Sequence, residues 1–232
     1  MLETGRAVRA VAAAACAVTL AAACSSSDDA PDPQDGELIT ITTMRGALLQ
    51  AAEIGPTWQS PAGSSDRNRL VAFCAGPATA PPVPPGAGVV ASPLVDEGAN
   101  GAQTLNQTAL VYPDASAARA GLAALRAVAD GCPPSVNQAA QSTADRNEPA
   151  YTETTKITDM NEGGWTGFVV TRHKAYEPRH PGIADTAVTV VQKQNVLLVD
   201  SYAVFRIGHA STGPQFDSDW RKLVGTVLSR VG

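Results

Sequence analysis

The sequence predicts an α+β fold, in which an antiparallel sheet of about six strands carries helices packed on it within one domain. Two observations lead to this prediction. Strand-like runs follow one another in the second half of the chain, and one pair is separated only by Lys193-Gln194-Asn195, which is short enough for a tight hairpin. Helix-like runs are gathered before and after those strands rather than alternating with them, which favours an antiparallel sheet.

The first 24 residues have the layout of a bacterial lipoprotein signal. Two arginines, Arg6 and Arg9, precede an apolar stretch that is about 14 residues long, and small alanines lead directly to Cys24. That stretch is too short to span a bilayer comfortably. We predict a signal peptide at residues 1–23, lipidation at Cys24 and a polar tether at residues 24–37. The alternative is an ordinary secretory signal in which Cys24 has no role.

Lipidation of Cys24 would make the membrane a partner of this protein through the acyl anchor, with a single domain at residues 38–232 held outside the cytoplasm. Without the signal peptide, the chain has 15 Lys+Arg against 21 Asp+Glu, a net charge of −6. Nucleic acid requires a basic face, so we expect no nucleic-acid partner.

Capping residues and apolar spacing predict three helices. Thr43 caps the first helix, Asp114 or Ser116 caps the second, and Trp220 lies in the apolar stripe of the third. The second and third helices each present an apolar face that would pack on the sheet. The three helices are predicted at residues 44–53, at residues 117–130, and from residue 215 or 216 to residue 230.

Apolar or alternating runs predict the strands, and the polar, proline-containing residues 133–150 between them are predicted to be a surface loop. The six predicted strands cover residues 89–95, 103–112, 151–158, 165–173, 184–194 and 196–206.

Two cysteines remain once the signal peptide and Cys24 are set aside. An exported protein meets an oxidising environment, so an isolated pair there is typical of a structural disulfide. We therefore predict a bond between Cys74 and Cys132, which would fasten the end of the second helix to the segment around Cys74. Two free thiols are the alternative.

The order of these features resembles the extracellular sensor domain of the PknH-type Ser/Thr kinases of mycobacteria, a domain that also occurs in lipoproteins of these bacteria. The resemblance covers residues 38–232. It depends on a set of motifs in a fixed order: Leu48-Leu49 in the first helix, Cys74, the strand at 105–111 running into Tyr112-Pro113-Asp114, Cys132, Gly163-Gly164-Trp165 and the strand at 196–206.

The resemblance implies an antiparallel sheet of about six strands, a cleft for an unidentified ligand, and disulfide pairing in which Cys74 and Cys132 correspond to the first pair. The second pair of the kinase domain has no counterpart, because the corresponding strands contain no cysteine. The chain also has no kinase domain, so any signalling would need a separate partner.

Three residues are candidates for ligand binding. Arg172 and His173 belong to the basic run Arg172-His173-Lys174, with Arg179-His180 just after it, and such a run could meet an anionic ligand such as a phosphorylated glycan or lipid. A solvated hairpin end is the alternative interpretation. Trp165 follows two glycines and could stack on a sugar ring.

Catalytic and metal-site motifs are absent from the sequence. Gly-x-Ser-x-Gly and His-Glu-x-x-His do not occur, and His173, His180 and His209 have no second ligand at metal-binding spacing. We expect neither an enzyme nor a cofactor. The sequence favours a non-enzymatic envelope lipoprotein that binds a small molecule, a glycan or an envelope protein. A lipid or glycolipid carrier is the alternative, and it would need a large apolar cavity instead of a shallow polar cleft.

Overall fold

The structure is a computed structural model, and it describes residues 37–61, 70–98, 101–142, 147–179, 181–208 and 212–231. Several predictions fall outside these residues, so they stay predictions: the signal peptide, most of the tether, Cys24, His180 and His209. Among the described residues, no helix is long and apolar enough to cross a membrane.

An antiparallel sheet forms the centre of the described domain, with strand order β1-β2-β9-β8-β7-β6-β3. Strands β4 and β5 form a separate short ribbon. The strands are β1 (Gly88–Gly98), β2 (Gly101–Val111), β3 (Ser135–Gln138), β4 (Gln141–Ser142), β5 (Asn147–Glu148), β6 (Tyr151–Glu162), β7 (Trp165–Tyr176), β8 (Gly182–Lys193) and β9 (Val196–Ile207).

Helices cover both faces of the sheet. Helix α3 packs on one face, which we call the α3 face, and α1 and α4 pack on the other, the α4 face. The sequence of strand β9 is almost continuously apolar because both of its faces are buried. Val196 and Leu198 point to the α4 face, whereas Leu197 points to the α3 face. The described helices are α1 (Ile41–Ala47), α2 (Ala51–Ile54), α3 (Ala115–Asp130) and α4 (Phe216–Arg230).

The α+β class and the antiparallel sheet are confirmed, but the sheet is larger than the predicted six strands. In the described residues it has seven, because β3 pairs with β6 inside the segment predicted to be a loop. Strand β3 escapes detection because it is a short polar edge strand. Its Ser135 and Asn137 are exposed, and Val136 packs against Gly76 on a distant segment.

The first predicted helix is wrong at its start and is interrupted within its predicted range. Thr40, not Thr43, is the N-cap, since the Thr43 N–H donates to Thr40 Oγ1 at 3.1 Å. The helix also breaks after Ala47, and a second short helix follows. The cause of the break is a long-range contact: the buried Gln107 side chain accepts from Leu49 N–H at 3.0 Å and donates to Leu49 C=O at 3.1 Å.

Local signals placed the other two helices correctly. Asp114 caps α3, because its Oδ1 accepts from the Ala117 N–H at 2.7 Å, and the buried Trp220 lies on α4 as expected. The hairpin between β8 and β9 turns at Gln194 and Asn195. Asn195 is buried there and holds the segment that precedes α1, since its side chain pairs with both the N–H and the C=O of Ile39.

A disulfide bond joins Cys74 and Cys132, whose Cα atoms are 4.9 Å apart. Cys132 lies directly beyond the end of α3, so the bond fastens that helix end to the segment that carries Leu70 and Phe73. Both of these side chains are buried against the α3 face. The bond therefore fixes the edge at which α3 stops covering the sheet.

Candidate functional site

Trp165, predicted to stack on a ligand, is a core residue. Its side chain is 0% exposed and packs with the buried residues of the α4 face. It opens β7, where the pleat turns it toward Trp220 and Val224 of α4, which belong to the same buried group. A ring without exposed surface cannot stack on a bound sugar, so the ligand-binding prediction for Trp165 is corrected.

The basic run Arg172-His173-Lys174 does not form one cationic patch. Successive residues of a strand point to opposite faces, so Arg172 and Lys174 lie on the α3 face and His173 on the α4 face. Each has an acidic partner. Arg172 Nη1 is 3.3 Å from Glu153 Oε1, and Lys174 pairs with Glu148. The three side chains are therefore divided between the two faces, and the prediction that Arg172 and His173 bind an anion stays a prediction.

Arg172 has a structural role. Its Nη1 also donates to the Cys74 carbonyl at 3.1 Å, which ties β7 to the disulfide segment. Burial lowers the pKa of its guanidinium, and the charge of Glu153 opposes that effect. Glu153 in turn accepts from the Gly76 N–H at 2.8 Å. The pair thus holds the 70–76 segment on the sheet.

His173 borders a polar cleft of about 490 Å³ on the α4 face. Its Nδ1 is 2.6 Å from Asp185 Oδ1, and the Thr212 hydroxyl donates to the other carboxylate oxygen of Asp185. The other residues that line this cleft include Thr171, Arg172, Phe216 and Asp217. The hydrogen-bonding capacity of Asp185 is thus largely used within the protein. No group of three metal-ligating side chains occurs among the described residues.

A second cleft, of about 680 Å³, lies where the sheet extends beyond α3. Strands β7, β8 and β9 have 12 residues each, and α3 has 16. At about 3.3 Å per strand residue and 1.5 Å per helix residue, the strands are about 40 Å long and the helix about 24 Å. The last rows of the α3 face, including Lys174, Ala184 and Phe205 in register, therefore have no helix above them.

The rings of Tyr176 and Phe205 form the floor of this uncovered area, which we call the apolar cleft, and Tyr151 packs beside them. Tyr151, Tyr176 and Phe205 make a row of edge-to-face contacts, with ring centroids 5.7 Å apart for the first pair and 6.1 Å for the second. Gly182 lies between Tyr176 and Phe205. A Cβ there would be only 3.2 Å from Tyr176 Cδ2, so the glycine keeps the floor open. Pro149 and Pro181 line the sides.

A partly buried ion pair lies beside the apolar cleft, and its Glu148 lines the cleft. Lys174 Nζ is 3.7 Å from the centroid of the Tyr151 ring and 5.1 Å from that of Tyr176. Glu148 accepts from Lys174 and from the Tyr176 hydroxyl, the latter at 3.2 Å. Burial raises the pKa of the Tyr151 phenol, and Lys174 opposes that effect. The positive charge of Lys174 is therefore neutralised within the protein.

Two residues of the rim differ from the rest of the cleft. Ile207 is 57% exposed, more than any other large apolar side chain in the described part of the chain. Arg179 is exposed and lines the cleft, and it makes no ion pair or hydrogen bond with a described residue. The cleft thus combines an apolar floor, an exposed apolar side chain at its rim and a positive charge at its mouth.

The aromatic and apolar residues of the apolar cleft carry no sequence motif, and the sequence did not reveal them. Arg179 is the exception, because it follows the basic run that was considered for anion binding. Tyr176 and Phe205 are 29 positions apart and look like ordinary strand residues. A usable signal was present in the element lengths, since the predicted second helix is much shorter in space than the strands it was expected to cover.

Comparison with known proteins gives one informative result, a similarity of fold. No protein-family model matches the chain, and no curated protein matches it either. Among solved structures, the chain is similar to the extracellular domain of PknH from Mycobacterium tuberculosis, with a TM-score of 0.52 and 15% sequence identity. The match covers 84% of this chain and 97% of that domain. The described fold is therefore PknH-like, as the sequence motifs suggested.

Proposed function

We propose that this protein is a non-enzymatic ligand-binding domain of the cell envelope, attached to the membrane by a lipid on Cys24, and that its ligand occupies the apolar cleft. The observation that carries the proposal is the open area of about 680 Å³ with an aromatic floor where the sheet extends beyond α3. Ligand sites in proteins are clefts of this size, mostly apolar, with a few polar groups.

Two further observations support a location outside the cytoplasm. The fold is similar to that of an extracellular domain. The bond between Cys74 and Cys132 suits an oxidising compartment. The acyl anchor itself depends on the leader sequence, in which Cys24 follows a run of small residues.

A carrier that encloses its lipid is less well supported than an open binding domain. The spaces between the sheet and its helices are filled by buried side chains on both faces. The apolar cleft is open, which fits a binding domain, although its apolar lining would also fit a carrier. We therefore favour a domain that contacts part of its ligand and leaves the remainder in solvent.

The anchor is tested by metabolic labelling with a fatty-acid probe in a bacterial host. We expect labelling of the wild-type protein and of Cys16→Ser, because Cys16 lies inside the signal peptide, and loss of labelling in Cys24→Ser. Unchanged labelling of Cys24→Ser would contradict the anchor.

The cleft is tested by native mass spectrometry of protein purified from its own host. Gly182→Leu places a side chain on the cleft floor, and Gly46→Leu is a matched control, because a Cβ at Gly46 has no atom within 4 Å. We expect a co-purified ligand on the wild-type and Gly46→Leu proteins and its loss from Gly182→Leu. A ligand retained by Gly182→Leu would place the site elsewhere.

A further inference from the structure

The charges around the apolar cleft are unevenly distributed. Beside the cleft, Lys174 is already paired with Glu148 and lies over the rings of Tyr151 and Tyr176. At the mouth, Arg179 has no partner among the described residues. A guanidinium presents a planar set of donors that suits carboxylate and phosphate oxygens. The cleft therefore offers an acidic group a binding place at its mouth and none at its floor.

The floor itself favours hydrocarbon over sugar. The Tyr176 ring is engaged by its neighbours on two sides, and its hydroxyl is bonded to Glu148, whose carboxylate also holds Lys174. A ligand rich in hydroxyl groups would therefore lose hydrogen bonds to water without gaining enough of them here. Phe205 and the exposed Ile207 instead present apolar surface that a hydrocarbon chain would remove from water.

We propose that the apolar cleft selects a single-chain amphiphile with an acidic headgroup, whose chain lies on Phe205 and Ile207 and whose headgroup binds Arg179. This inference rests on the proposed function, because it takes the cleft to be the ligand site. It adds the chemical class of the ligand and the residue that recognises its charge.

The test measures binding to the unlipidated full chain, made by cell-free synthesis, in equilibrium dialysis below micelle-forming concentrations. The probes are dodecanoate, dodecanol and dodecylammonium, which share one chain and differ in charge. We expect dodecanoate to bind about tenfold more tightly than dodecanol, since a charge-assisted hydrogen bond contributes roughly that factor. Dodecylammonium should bind most weakly.

Variants separate the headgroup from the chain. Arg179→Gln should weaken dodecanoate about tenfold and leave dodecanol unchanged. Arg119→Gln, which removes a charge from the first half of α3, should change neither. Lengthening the acid from 10 to 14 carbons should strengthen binding by up to about fourfold per methylene group if the chain lies in the cleft.

Equal affinity for the acid and the alcohol, or an Arg179→Gln protein that binds dodecanoate like wild type, would overturn the proposed headgroup contact. Failure of all three probes, with a host ligand still lost from Gly182→Leu, would overturn the ligand class and leave the cleft as a ligand site. Thermal melting checks that each variant folds.

Discussion

Asp200 makes the free energy of unfolding of this protein depend on pH, because its carboxyl group is buried in the folded state. Its side chain is on the α4 face of β9, where its register partners Gln107 and Thr189 are buried and uncharged. The oxygen Oδ2 has no hydrogen-bond partner among the described residues. Burial raises the pKa of this carboxyl from 3.8 to about 7.

A carboxyl whose pKa is higher in the folded than in the unfolded chain makes the folded state bind more protons. Its favourable contribution to folding is therefore complete below about pH 4 and is lost as the pH rises through about 7. The slope is about 1.4 kcal/mol per pH unit in that window, so the total is about 4 kcal/mol. The substitution Asp200→Asn keeps the shape and removes the ionisation.

We expect Asp200→Asn to match the wild type in free energy of unfolding near pH 4 and to exceed it by up to about 4 kcal/mol at pH 8. Urea unfolding at each pH unit from 4 to 8 measures this difference. The control is Glu97→Gln, which removes an exposed carboxylate from β1 and should give parallel curves. Parallel curves for Asp200→Asn and wild type would refute the inference that Asp200 is buried in its neutral form.

Three further changes test the packing of the domain. Cys74→Ala opens a disulfide that spans 58 residues, and the chain-entropy estimate of the loss is about 4 kcal/mol, measured by urea unfolding. Gly121→Ala should cost about 1–3 kcal/mol, because its Cβ would meet a tyrosine hydroxyl at 2.5 Å, whereas Gly225→Ala on α4 should be neutral or stabilising. Gln107→Leu leaves the Leu49 N–H without its buried partner, while the Leu49 C=O still accepts from the Ser92 hydroxyl, and should cost about 1–3 kcal/mol. An unchanged melting temperature would contradict the role given to the Gln107 side chain.

The parts of the fold that follow from neighbouring residues could be predicted, and the parts that depend on distant contacts could not. The cap at Asp114 and the hairpin at Gln194 are set within a few residues, so the sequence reveals them. Strand β3 forms only because β6 lies beside it, and the break after Ala47 forms because Gln107 meets Leu49. Neither contact leaves a local pattern.

The candidate site was less accessible to prediction for the same reason. Trp165 and the basic run attracted attention because of their residue types, but burial and ion pairs in the fold occupy them. Tyr176 and Phe205 come together because two antiparallel hairpins place the ends of their strands side by side. Their exposure to a ligand then depends on where α3 stops, which is a property of the assembled domain.

Amide chemical shifts test most directly whether the ligand binds in the apolar cleft. The isotopically labelled protein, made by cell-free synthesis so that its cleft starts empty, is titrated with a lipid extract of the host envelope, and the shifts are mapped on the sequence. We expect the largest changes at Glu148, Tyr176, Gly182, Phe205 and Ile207. Changes concentrated at His173 and Asp185 on the opposite face, or no changes, would contradict the assignment of the apolar cleft.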